Sequence, residues 1–235
     1  MTTHQIRLVI FDCDGVLVDS EAIALDVLIG ALAEKGIRLD ADGAARRFLG
    51  RSLGSLSETV AAEFGVEIDP PFLNRMREVL YDRFRQELQP IAGVAALIGA
   101  LKDNGIACCV ASSSQRERIE FSLSLTGLLD GLAPHIFSAT MVENGKPAPD
   151  LFLHAAAVMG VEPSACLVIE DSPAGIMAAQ AAGMGVIAFT GGAHTRHPSY
   201  TAALKDLEPD ARFDGMRELL QFVLPARRPE DITDA

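Results

Sequence analysis

Residues 6–20 read Ile6-Arg7-Leu8-Val9-Ile10-Phe11-Asp12-Cys13-Asp14-Gly15-Val16-Leu17-Val18-Asp19-Ser20. A short apolar run closes on two aspartates and a glycine, the pattern of a buried strand that stops at a loop. The pattern recurs three times, in Ile106–Ala111 before Ser112-Ser113-Ser114, Cys166–Ile169 before Glu170-Asp171-Ser172-Pro173, and Val186–Phe189 before Thr190-Gly191-Gly192. Helical patterns follow these runs. One begins at Gln115 and reaches Ser124; another spans Pro149 to Met159 and stops at Gly160. A third has Ser172 as N-cap and Pro173 in first position, runs through Ala174–Ala182 and stops at Gly183. Strands alternating with helices predict an α/β protein, with a parallel sheet covered on both faces.

Between Asp19 and Gln89 the alternation stops, and only helical periodicity is found: Ala22–Lys35, a short piece at Ala44–Leu49, Leu56–Phe64, and Phe72–Leu88 after Pro70-Pro71. A crossover unit needs only about 30 residues, so this interval is expected to be an inserted helical cap, residues 19–89, hinged near Val16–Ser20 and Gln89–Gly93. The core is then residues 1–18 with 90–225, and the charged, Pro-containing residues 226–235 form a flexible tail.

Composition removes other classes. With 49% hydrophobic residues the 235-residue chain can bury a core. Its 32 acidic against 20 basic residues give a net charge of −12, which argues against a nucleic-acid partner. No apolar run approaches the roughly 18–20 residues of a membrane span, and the acidic start lacks a signal-peptide core, so a cytoplasmic location without a membrane partner is expected. The four cysteines, Cys13, Cys108, Cys109 and Cys166, have no metal-site spacing and read as reduced core residues.

Ligands of open parallel sheets bind beyond the carboxyl ends of the strands. There this chain collects Asp12 and Asp14, Ser112, Glu170 and Asp171, with Lys146 in the loop Asn144-Gly145-Lys146-Pro147. Carboxylates from two strand ends can share one hard, oxygen-ligated cation such as Mg²⁺, which also takes phosphate oxygens. One carboxylate beside a phosphoryl group could attack it, and a second, two residues on, could exchange protons with the leaving oxygen and with water. Ser112 and the helix start after it suit a phosphate, and Lys146 supplies a fixed cation. Alone, each of these features is common in loops; their order along four strand ends is what makes them specific.

The segments FDCDGVLVDSE, VASSS, GKPAPD and VIEDSPAG resemble, in order, the four motifs of the haloacid dehalogenase-like superfamily, over about Arg7 to Thr190. The resemblance implies a Rossmann-like, doubly wound core, Mg²⁺ and an aspartyl-phosphate intermediate. Asp12 matches the nucleophile and Asp14 the general acid/base, whose backbone carbonyl binds the metal. Ser112, with Ser113 beside it, and Lys146 match the phosphate binders, while Glu170 and Asp171 match the metal-side acids. It also implies that an insert after the first motif is a helical cap.

Asp14 separates the chain from the dehalogenases, which lack that carboxylate. The wording of the motifs resembles the β-phosphoglucomutase and sugar-phosphate phosphatase branch. A mutase carries a cap His and Arg where this chain reads Ala24 and Leu53. The expectation is therefore a phosphatase for a small phosphorylated sugar, sugar acid or polyol, similar to 6-phosphogluconate phosphatases. A phosphosugar mutase and a non-catalytic phosphate sensor remain as alternatives. Arg51 and Arg77 in the cap, and Ser114, Gln115 and Arg116 after the second motif, are candidates for substrate selection. His194 and His197 read as a solvated loop, and the protein is expected to be a monomer or weak dimer.

Overall fold

The computed structural model describes residues 6–48, 53–196, 200, 203–204 and 206–224. Six parallel strands form one sheet: β1 (Leu8–Phe11), β2 (Ala107–Ser112), β3 (Ile136–Ser138), β4 (Cys166–Glu170), β5 (Gly185–Phe189) and β6 (Ala211–Phe213). Their order is β3-β2-β1-β4-β5-β6, with Phe11 level with Val110 on one side and Ile169 on the other. The chain winds outward from β1 to β3, then returns to β4 on the opposite side of β1. The carboxyl end of β1 is therefore the switch point of a doubly wound sheet, where a crevice opens.

The central strands are apolar throughout because both sheet faces are covered. Val9, Phe11, Val110 and Ile169 enter one core, while Leu8, Ile10, Ala111 and Val168 enter the other. Cys108 and Cys109 divide between these two faces, and all four cysteines are free and buried, as expected of reduced core residues. The expected strands are present with ends shifted by one or two residues. Two short edge strands, β3 and β6, add to them.

Four helices follow β1: α1 (Glu21–Glu34), α2 (Ala41–Phe48), α3 (Leu53–Phe64) and α4 (Pro70–Glu87). Helix α4 begins two residues before the expected Phe72, because Asp69 caps it by accepting from Phe72 N at 2.7 Å and prolines are tolerated in the first turn. The chain enters and leaves this insert through adjacent segments. Asp19 N donates to Gln89 O at 3.0 Å, and Ile91 N donates to Leu17 O at 2.9 Å. Further α-helices are α5 (Val94–Asp103), α6 (Arg116–Leu125), α7 (Leu129–Leu132), α8 (Asp150–Met159), α9 (Pro173–Ala181) and α10 (Met216–Val223). Helix α4 lies against α6, where Tyr81 and Phe121 stack with ring centroids 4.6 Å apart.

Candidate active site

Asp12 leaves β1 at the centre of the sheet, and its carboxylate meets Lys146. Lys146 Nζ donates to Asp12 Oδ1 at 2.6 Å, Glu170 Oε1 at 2.6 Å and Ala111 O at 2.9 Å, and the side chain is 2% exposed. Burial works against a charged lysine, but the two carboxylates outweigh it and raise its pKa. Glu170 is fixed from the other side as well, since its Oε2 accepts from Ser172 N at 2.7 Å and Ser172 Oγ at 3.0 Å. Ser172 Oγ in turn accepts from Gly175 N, capping α9. One serine thus starts a helix and holds a site carboxylate.

Asp12, Glu170 and Asp171 are buried, with a carboxylate oxygen from each within 4.8 Å of the others. Burial holds the carboxyls of Asp12 and Asp171 well above the usual carboxylate range. Lys146 opposes the shift in both, and neighbouring carboxylates add to it. Three acids facing one lysine leave excess negative charge in a dry place, and the donors are hard oxygens. That set fits a small divalent cation, which would offset both burial and repulsion.

Asp14 is held separately. Ser20 Oγ donates to its Oδ1 at 2.5 Å, Ser114 Oγ to its Oδ2 at 2.7 Å, and Arg118 Nη2 to its Oδ1 at 2.8 Å. Burial alone would raise its pKa, but Arg118 and the serine donors bring it below the usual value. Its carboxylate is therefore turned toward these donors, apart from the cluster of Asp12, Glu170 and Asp171. Ser20 stands at the N-cap of α1 without capping it, because its hydroxyl goes to Asp14 instead. Between the two aspartates and the turn to the insert, Gly15 has φ 82°. A Cβ there would lie 2.0 Å from Asp171 Oδ2, so only glycine fits.

A cavity of about 740 Å³ opens from these carboxylates toward α1 and α4. Ser112, Ser113, Ser114 and Gln115 line its floor, where α6 starts without a side-chain cap on its first amides. Arg77 and Tyr81 line the α4 side. Two sequence expectations are corrected. Arg116 does not line the cavity, because its guanidinium turns to Glu120 Oε1 at 2.7 Å on the next turn of α6. His194 is not solvated: it is 1% exposed, with Nε2 lying 2.8 Å from Asp171 Oδ2 and its ring edge-on to Tyr200. Arg51 and His197 lie outside the described residues. Arg118, Ser20 and Glu21 were not read from sequence as site residues, although each lines the cavity or binds Asp14.

The sequence pattern of the haloacid dehalogenase-like hydrolases matches residues 6–183, three quarters of the chain. The chain belongs to that family. It is 32% identical over 201 residues to 6-phosphogluconate phosphatase of Escherichia coli, covering 84% of this chain and 90% of the relative. Among solved structures, it is similar to a conserved haloacid dehalogenase-like protein of unknown function from Agrobacterium tumefaciens. That pair shares 37% identity and a TM-score of 0.78, covering 93% of this chain and 97% of the other. A family hydrolase from Deinococcus radiodurans, solved with bound phosphate and sodium, is 32% identical with a TM-score of 0.75, covering 93% and 96%. The protein is thus an enzyme of the haloacid dehalogenase-like phosphatase class, and among its described residues no helix is long and apolar enough to cross a membrane.

Proposed function

We propose that the protein is a Mg²⁺-dependent phosphatase that hydrolyses a small phosphorylated sugar, sugar acid or polyol through an aspartyl-phosphate on Asp12. The observation that carries this reading is the division of environments on one loop. Asp12 is clustered with Asp171, Glu170 and Lys146, while Asp14, two residues away, is held by Ser20, Ser114 and Arg118. Two carboxyls with separate partners can take separate roles.

In this reading an Asp12 oxygen attacks phosphorus and the bond to the leaving oxygen breaks, while Asp14, which takes up a proton when the anionic phosphate binds beside it, passes that proton to the leaving oxygen. Water then attacks the phosphorus of the aspartyl-phosphate, Asp14 takes the water proton, and free phosphate and Asp12 are regenerated. Lys146 holds Asp12 in line and offsets charge on the phosphoryl oxygens. Ser112, Ser113 and the start of α6 receive the phosphate. Asp12, Asp171, Glu170 and the Asp14 carbonyl would hold Mg²⁺, which supplies charge neutralisation for the phosphoryl group and its nucleophile. Residues 19–89 act as the cap over a core of residues 1–18 and 90–225, with Arg77 and Gln115 toward the leaving group. Support for a sugar or polyol phosphate comes from the likeness to 6-phosphogluconate phosphatase and, at 28% identity, to hexitol phosphatase B of Escherichia coli.

Ala24 lines the cavity where a mutase carries histidine, so no proton-positioning imidazole stands there. The test is phosphate release from a panel of sugar, sugar-acid, polyol and hexose 1-phosphates, with Mg²⁺ and with EDTA. The expected outcome is release that EDTA abolishes and Mg²⁺ restores. Isomerised hexose phosphate without free phosphate would support the mutase instead, and binding without turnover would support a sensor.

A further inference from the structure

The cleft holds a second enclosed cation, Arg118, whose pairing with Asp14 takes only part of its hydrogen-bonding capacity. Lys146 is committed to Asp12, Glu170 and Ala111 O. Arg118, in the first turn of α6, lies on the far side of Asp14. Its guanidinium donates to Asp14 Oδ1 at 2.8 Å and rests 5.6 Å over the ring of Phe84 from α4, and its side chain is 21% exposed along the cavity wall. An arginine carries five N–H donors. Among the described residues Asp14 is the one hydrogen-bond partner of this guanidinium, and its Nε is enclosed with none. Arg116, two residues earlier, shows what a structural arginine of this helix does, pairing with Glu120 outside the cleft.

We propose that Arg118 selects substrates whose leaving group ends in a carboxylate, so that the preferred substrate class is a phosphorylated sugar acid rather than a neutral sugar or polyol phosphate. The inference rests on the phosphatase reading above. Phe84 covers one face of the guanidinium, Asp14 takes one donor and Nε is enclosed, so it is the remaining Nη donors of this cavity-lining arginine that would meet a carboxylate. The placement also sets a length. A leaving oxygen within about 3 Å of Asp14, and a carboxylate within about 3 Å of Arg118, lie no more than about 10 Å apart. An acyclic chain of up to about six carbons spans that distance. Arg77 from the α4 side and Gln115 from the floor line the same cavity and would be available to the hydroxyls of such a chain.

The experiment compares kcat/KM for 6-phosphogluconate and for glucitol 6-phosphate, which has the same carbon chain with a hydroxymethyl in place of the carboxylate. It uses wild-type protein, Arg118→Gln and Arg118→Lys, with Mg²⁺ present. Wild type is expected to favour the acid by at least about tenfold, the size of one charge-assisted pair. Arg118→Gln should lower kcat on both substrates, because Arg118 also holds Asp14, and in addition bring the ratio close to one through the KM of the acid, while Arg118→Lys should fall between. Equal turnover of the two substrates by wild type would overturn the proposal. So would a proportional loss on both substrates in Arg118→Gln, since that is the signature of a residue that only holds Asp14 in place. Phosphate release from other esters but from neither of these would overturn it while sparing the phosphatase reading, whereas no release from any monoester would remove both.

Discussion

Glu21, the first residue of α1, stands half-buried at the mouth of the cleft, where its carboxyl is pushed up to about 7 from the usual 4.5. Burial is the main cause, and the negative charges of Asp14 and Asp171 add to it, against His194 and Arg118. Below pH 4.5 the folded and unfolded chains both hold this proton. Between pH 4.5 and about 7 only the folded chain does, so stability falls as pH rises through that window and the loss is complete above it. Glu21→Gln removes the titration. In metal-free protein the variant should match wild type near pH 4.5 and exceed it by about 1–2 kcal/mol at pH 8.5, after allowing for solvent screening at the cleft mouth. Urea unfolding at the two pH values checks this; a gain that is the same at both would rule out the titration of Glu21 as its source.

At the scale of elements, the strands were legible wherever an apolar run ended in a reactive loop. Phe11 runs into Asp12, Ala111 into Ser112, and Ile169 into Glu170, so β1, β2 and β4 and the carboxylates they deliver could be read together. The three-residue strands β3 and β6 could not, because Ile136–Ser138 and Ala211–Phe213 are strands only through pairing with a sheet already present. The helix-borne part of the site was hidden for a different reason. Arg116 and Arg118 are equivalent in sequence, but two steps along a helix turn a side chain to nearly the opposite face, and only packing decides which face meets the cleft. His194 was invisible because its burial depends on a loop returning across Gly15 and Gly192. Helix α9 joins both levels. Ser172→Ala removes its cap and one donor to Glu170, and is expected to lower stability by about 1–2 kcal/mol together with a fall in phosphatase turnover. Urea midpoints and turnover measured on the same preparation test it, and loss of stability with unchanged turnover would separate the cap from the site.

Across the whole molecule, the sheet brings Asp12 to its central switch point and the insert places α1 and α4 over it. Hydrogen bonds tie the two connecting segments of the insert to each other, Asp19 to Gln89 and Ile91 to Leu17, and α4 meets α6 through Tyr81 and Phe121. Closure of residues 19–89 on the core is expected when Mg²⁺ and a phosphate mimic such as orthovanadate are both bound. X-ray scattering should register a smaller radius of gyration than with either alone, and an unchanged radius would count against closure as the gating step. The central claim, that the phosphoryl group passes onto Asp12, is tested most directly by Asp12→Asn. With Mg²⁺ and the best substrate of the panel, turnover should fall at least about a thousandfold while circular dichroism and thermal unfolding show an intact fold. Full turnover by folded Asp12→Asn protein would contradict the account.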